Sequence, residues 1–205
     1  MIYRKSCIYT WIVLMRIINN SKTIKKHTKM NKTIQELVPL IQEWAKERGI
    51  FKKSTPFDQL LKTHEEVGEL IKACYDNDKP AVQDALGDTM ICLINYCYFM
   101  KIDAWIQIND VLNIGDETNE DKVILSLYTL RELSSLMNNT FITMGRTYEE
   151  QPKTIFFNFS YIIYYLNNIA ILENTTLEEC LNIAYNEIKN RTGKMINGKF
   201  VKDEK

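Results

Sequence analysis

Between Lys62 and Asn95 the chain concentrates the side chains that could do chemistry. Glu66 and Glu69 are three residues apart, hence on one face of a helix, and Lys62 joins that face one turn earlier. Further on, Asp84, Asp88 and Asn95 fall within about 40° of one another around a helix axis. Nearly everything else from Ala85 to Met100 is apolar. A helix apolar almost all round is a buried helix, and carboxylates on its one polar stripe are costly unless cations or a metal neutralise them. Glu66, Glu69, Asp84 and Asp88, contributed by two antiparallel helices, would make an all-oxygen site. Such a site suits Mg²⁺ or Mn²⁺, hard ions that keep waters free for exchange with phosphate. His64 is the only nearby imidazole, which argues against zinc. A plainer explanation competes for part of the set. Glu66 and Glu69 lie opposite the main apolar stripe (Leu60, Leu61, Val67, Ile71, Cys74), where acidic pairs are usually solvated, and Asp84 alone could serve a helix start. Asp88 and Asn95 are harder to dismiss in that way.

The elements that must position these residues are all helical. Thr33 with Glu36 forms a capping box, and Ile34, Leu37, Ile41 and Trp44 follow at helical spacing until Gly49. Pro39 inside that pattern predicts a kink or a delayed start. Thr55-Pro56 opens a second helix to about Asn77, Lys79-Pro80 is the expected turn, and a third helix runs from about Ala81 to Met100. After a polar stretch (113–121) a helix is expected from about Lys122 to Met144, then a loop over 145–153 and a helix over about 154–172. A capping box at Thr176 and Glu179 opens a last helix that ends near Arg191-Thr192-Gly193. Nothing alternates with period two for long, and seven Gly with four Pro leave little turn chemistry. The expected fold is all-α, a helical bundle of antiparallel hairpins.

The chain also echoes itself. LKTHEEVGEL (61–70) aligns without gaps with LYTLRELSSL (127–136), and DTMICLINYC (88–97) aligns with SYIIYYLNNI (160–169), Asn95 matching Asn167. The offsets of 66 and 72 are reconciled by a longer loop in the second half. That second copy lacks the chemistry: Glu69 corresponds to Ser135, Asp88 to Ser160, and the equivalent of Asp84 is near Phe156. It is expected to be a degenerate repeat that supplies packing and replaces a dimer partner. Chance similarity of amphipathic helices is the alternative.

Composition narrows the function classes. The chain has 205 residues, 45% hydrophobic and 25% charged, the balance of an ordinary globular protein. Lys+Arg and Asp+Glu are both 26, so no global field draws it to nucleic acid or to an anionic membrane. Cys7, Cys74, Cys92, Cys97 and Cys180 are odd in number and lack Cys-x-x-Cys spacing, as expected of reduced core thiols in a cytoplasmic protein. The apolar run Ile8 to Ile18 is too short to span a bilayer, is broken by Arg16, and precedes no small-residue cleavage site. Residues 1–29 are therefore expected to be an extension, and 30–205 the folded domain. Within it, 31–112 is the chemically equipped half, and 122–192 is the degenerate half, followed by a basic C-terminal end.

HEEVGEL (64–70) followed by DALGD (84–88) resembles the paired EExxE and ExxD motifs of the MazG-like nucleotide pyrophosphohydrolases. LEECLNIAYNEIKNRTGKMINGKFVK (177–202) is similar to the C-terminal end of bacteriophage-encoded members, and WAKERGI (44–50) adds to the match. The resemblance covers most of the chain from residue 31, loosely over 101–175. It implies an all-α enzyme that uses Mg²⁺ to cleave nucleoside triphosphates to monophosphate and pyrophosphate. Glu66, Glu69, Asp84 and Asp88 would hold the metal, and Glu65 or Glu66 would take the proton of the attacking water. Lys62 and Asn95 would face the substrate. Lys189, Arg191 and Lys194 would contact its phosphates, unless they only complement the end of a helix dipole. Trp44 could stack on a base, although its place in the apolar stripe favours core packing. One departure stands out. The family's glutamate three residues before the last aspartate falls on Ala85, and Asp84 is expected to substitute from one residue earlier. The expected partner is the nucleotide alone, with the protein a homodimer or a monomer containing an internal pseudo-dimer. Two rivals are a catalytically inactive interaction protein and a di-metal oxidoreductase bundle. The latter typically uses Glu-x-x-His pairs, and none occurs here.

Overall fold

In a computed structural model, residues 31–113, 119–143 and 153–203 are described. Among them are eight helices and one two-stranded sheet. The helices are α1 (Ile34–Glu47), α2 (Ile50–Lys53), α3 (Pro56–Asp76), α4 (Lys79–Met100), α5 (Ala104–Leu112), α6 (Lys122–Thr143), α7 (Lys153–Leu172) and α8 (Leu177–Ile188). The strands β1 (Gly193–Ile196) and β2 (Lys199–Lys202) pair antiparallel. The all-α bundle expected from the sequence is what forms. The apolar N-terminal run, residues 1–29, Cys7 and the 145–152 loop lie outside the described residues.

The caps act as anticipated. Thr33 with Glu36, Thr55 with Asp58, and Thr176 with Glu179 each form a reciprocal capping box at the start of α1, α3 and α8. Three expectations need correction. Helix α1 runs through Pro39 without a delayed start. Lys79-Pro80 is not the turn: Asp78 accepts a hydrogen bond from the Ala81 N–H and caps α4, which begins at Lys79. A proline costs nothing in a first helical turn, where its missing donor would go unused. The α3–α4 connection thereby shrinks to Asn77, left-handed at φ 56°, and Asp78. Third, the last helix stops at Ile188, short of Arg191-Thr192-Gly193, and a short hairpin follows it. Asn197 and Gly198 both have positive φ (49° and 80°), the geometry of a tight hairpin turn. Helix α5 was also unforeseen; Asp103 caps it, and Ala104, Ile108 and Val111 bury its inner face.

Helices α3 and α4 pack as one hairpin and α6 and α7 as another, with α3 lying on α6 and α8 on α4. Helix α4 is the centre of the molecule and is buried on nearly every side. The two hairpins bury equivalent positions at the spacing of the sequence echo. Leu60, Thr63, Val67, Leu70 and Cys74 are buried in α3, and so are Ser126, Thr129, Leu133, Leu136 and Thr140 in α6. Thr63 and Thr129 even make the same bond, each hydroxyl donating to the carbonyl four residues earlier. Helix α8 approaches α4 at Gly87, where a Cβ would lie 2.5 Å from the Cys180 carbonyl oxygen and 2.7 Å from Ala184 Cβ. Only glycine permits that contact, and it brings the end of α8 beside Asp84 and Asp88. Cys74, Cys92, Cys97 and Cys180 are buried free thiols, as read from the sequence. Among the described helices α7 alone is long and apolar enough to cross a membrane, and it packs here against α5 and α6.

Candidate active site

A cavity of about 470 Å³ opens between α3 and α4 and is roofed by the end of α8 and the β-hairpin. Helix α3 contributes Lys62, Glu65 and Glu66, α4 contributes Asp88 and Asn95, and Arg191 enters from beyond α8. Six of the residues singled out in the sequence therefore meet in one place. The reason is antiparallel geometry: Glu66 and Asp88 lie equidistant from Asn77, so the short turn folds them onto neighbouring turns of the hairpin. Glu69 and Asp84 form the next such pair, nearer the turn, and both are exposed. Neither lines the cavity. Lys189 and Lys194 also fall outside it; Lys189 donates to Asn186 Oδ1 on its own helix at 2.7 Å, and Lys194 is exposed on β1. Of the three C-terminal cations only Arg191 reaches the site, where its guanidinium pairs with Glu187.

Glu66 overturns its helical-wheel assignment. It is 5% exposed, while Leu61 of the supposed apolar stripe is 47% exposed. The wheel described α3 in isolation, whereas α4, α6 and the hairpin together cover more than one face. Burial raises the pKa of Glu66, against the opposing pull of Lys62, whose Nζ lies 2.6 Å from Glu66 Oε1. Glu65 differs. Lys199 donates to its Oε1 at 2.8 Å and Lys62 lies 3.2 Å from its Oε2, and these contacts lower its pKa despite partial burial. Burial also opposes the charge on Lys62, but its hydrogen bonds to Glu66 and Glu65 win and hold it protonated.

Asp88 is half-buried, and no described residue gives it a hydrogen bond or ion pair. Burial, reinforced by the charges of Glu66, Asp84 and Glu187, pushes its pKa up to about 7, with Arg191 pulling weakly the other way. Asp84 is raised too, first by desolvation and then by Glu187 and Glu69. Acids and bases balance along the cavity lining, but around Asp88 the carboxylates outweigh the one guanidinium acting on it. Two buried polar atoms at the cavity are also unsatisfied: among the described residues Trp44 Nε1–H, a donor, and Asn95 Oδ1, an acceptor, have no hydrogen-bond partner.

These groups fit a hard divalent ion in one sense and not in another. Glu66 and Asp88 offer a pair of hard oxygen ligands in one cavity, Asp88 with no ion-pair partner among the described residues, beside space for water and phosphate. Among the described residues, however, no three carboxylates, thiols or imidazoles gather closely enough to enclose an ion. The four-carboxylate cluster expected from spacing is a two-carboxylate pair with a more exposed pair beyond it.

The sequence reading missed the hairpin and what it brings. Lys199 reaches Glu65, and Phe200 meets Trp44 edge to face at 5.7 Å between ring centres. Asn197-Gly198 was the available signal. Arg48 was missed as well. Its guanidinium donates to the Arg191 carbonyl at 3.1 Å and to the Lys189 carbonyl at 3.4 Å, closing the end of α8 and aiming the chain into β1.

Comparison with known proteins adds one likeness. Over 74 residues the chain is 30% identical to the uncharacterized 18.2 kDa protein in the rep-hol intergenic region of Haemophilus phage HP1 (strain HP1c1). The match covers 36% of this chain and 45% of the phage protein, so the chain spans less than half of that relative's length. No family model matches the chain, and no solved structure does.

Proposed function

We propose that this protein is a Mg²⁺-dependent nucleoside-triphosphate pyrophosphohydrolase of the MazG-like kind, acting in the cytoplasm and releasing pyrophosphate and a nucleoside monophosphate. The observation that carries the reading is the opposition of Glu66 and Asp88 across the α3–α4 hairpin in one cavity, where burial and neighbouring carboxylates raise the pKa of Asp88 to about 7. Glu66 and Asp88 would hold the ion, and Asn95 would face the substrate. Bound there, Mg²⁺ would neutralise charge on the triphosphate and on the departing pyrophosphate. Arg191, Lys199 and Lys62 edge the same cavity and suit a polyanion. Of the two glutamates open to the role of base, Glu66 is the stronger, because burial raises its proton affinity while two lysines lower that of Glu65. Trp44 and Phe200 leave an apolar wall for the base. Helices α6 and α7 would occupy the place of a second subunit.

The test is direct. Purified protein, Mg²⁺ and a panel of canonical and modified nucleoside triphosphates should yield pyrophosphate, with loss of at least a hundredfold in rate for Glu66→Gln and for Asp88→Asn. Ser160→Ala, at the position equivalent to Asp88, should change nothing. A second reading, an inactive interaction protein with the same fold, is favoured by one observation: Ala85 is buried and brings no ligand. Absence of pyrophosphate from every nucleotide would select it.

A further inference from the structure

Glu66, Lys62, Glu65 and Lys199 form a continuous chain of ion pairs along the cavity wall. Its geometry treats the two cavity carboxylates unequally. Glu66, nearly inaccessible, has an ammonium 2.6 Å away; Asp88 has none, because the one guanidinium nearby is tied to Glu187. The lysine comes from one turn earlier on the same helix, and Glu65 lies on the adjoining face, within reach of the same flexible stem. In the structure Lys62 Nζ bridges the two carboxylates, 2.6 Å from Glu66 Oε1 and 3.2 Å from Glu65 Oε2, and so occupies a Glu66 oxygen that a divalent cation would need. A swing of its stem onto Glu65 alone, a second resting place, would free that oxygen while the ammonium still edged the cavity.

We propose that Lys62 is a resident counter-ion: it neutralises buried Glu66 while the site lacks a divalent cation, competes with that cation for the carboxylate, and on displacement is held by Glu65, facing an anionic substrate. This rests on the metal reading above and adds a residue that works against metal binding and then toward substrate. The physical need is plain. A buried carboxylate without a cation is costly, and a lysine stem can swing where a rigid partner could not. Glu65 is itself held by Lys199, so the second resting place stays on the wall.

Mn²⁺ binding to the full chain, read by electron paramagnetic resonance without nucleotide, tests the idea apart from activity. Near neutral pH and in about 0.5 M KCl, which screens long-range fields, Lys62→Met should bind Mn²⁺ about three- to fivefold more tightly than the native protein. Glu65→Gln should bind more weakly, because Lys62 then rests on Glu66 alone. Lys62→Arg should stay near the native value. Lys199→Met removes another cavity cation that does not touch Glu66, and should change affinity less than about twofold. Unchanged or weaker binding by Lys62→Met overturns the proposal while leaving the metal site standing. Equal gains for Lys62→Met and Lys199→Met would reduce the effect to net charge and overturn it too. If neither the native protein nor Lys62→Met binds Mn²⁺, the proposal and the metal reading fall together.

Discussion

Glu66 and Asp88 lie on opposite arms of one helical hairpin and line the same cavity, yet among the described residues only Glu66 of the two has a cation at contact distance. The consequence is an aspartate that stays protonated far above its ordinary range. Its folded pKa is about 7, against an ordinary 3.8 in the unfolded chain. The folded state therefore binds a proton that the unfolded state has released. Stability from this group is complete below pH 3.8 and is lost as pH rises through about 7. In metal-free protein, Asp88→Asn should match the native stability near pH 4 and exceed it at pH 8. The full shift corresponds to ~4 kcal/mol, and partial access to water brings the expected gain to roughly 2 kcal/mol. Urea unfolding at the two pH values checks this; a gain that is the same at both would remove the electrostatic account.

Asn95 is the second place where the metal-free protein carries a cost. Its carbonyl oxygen is buried without a partner among the described residues, and the residue is 2% exposed. Asn95→Leu, close in shape, should stabilise the metal-free fold by about 1 kcal/mol while lowering pyrophosphate release at least tenfold. Denaturant midpoints and turnover measured on one preparation decide it. A destabilised variant would mean that the amide has a structural task.

Asp84 and Ala85 separate spacing from geometry. Asp84 is exposed and outside the cavity, so Asp84→Ala should shift the Mg²⁺ dependence of activity by no more than about threefold, as expected for a charge acting through solvent. Ala85 is 4% exposed in the core. Ala85→Glu, which would restore the motif of the proposed family, should cost about 3 kcal/mol or more rather than improve catalysis. A Mg²⁺ titration for the first variant and thermal melting for the second are the measurements. A shift of tenfold or more in the first would return Asp84 to the metal's ligands.

Gly87 sets the distance between α4 and α8. With the Cys180 carbonyl and Ala184 Cβ so close, Gly87→Ala must push the helices apart, at about 1–3 kcal/mol. The displacement should open the packing around the buried Cys180 thiol, whose reaction with a thiol reagent should quicken. Because Asp88 is the next residue, activity should fall with stability. Native stability and thiol reactivity in the alanine variant would falsify the close approach.

Much of this molecule was legible without coordinates. Capping boxes act over four residues, and apolar periodicity over one helix, so Thr33, Thr55, Thr176 and the buried length of α4 could be read directly. The Asp84–Asp88–Asn95 stripe was visible for the same reason. The β-hairpin was written there too, in Asn197-Gly198, but two four-residue strands are too short to show a period. What the sequence could not determine is which members of a stripe end up inside. Glu66 and Glu69 share a face of α3, yet one is buried and the other is exposed. Glu66 lines the cavity that the β-hairpin helps to close and Glu69 lies outside it, so the difference depends on a contact between segments more than a hundred residues apart. Likewise Lys199 and Trp44 became parts of a site only when Gly87 let α8 settle on α4 and the chain beyond Arg191, held by Arg48, folded back over α3. Local pattern decides what each element is, because its forces act within a few turns. Which charges are stripped of water depends on what packs above them, and only the tertiary structure determines that.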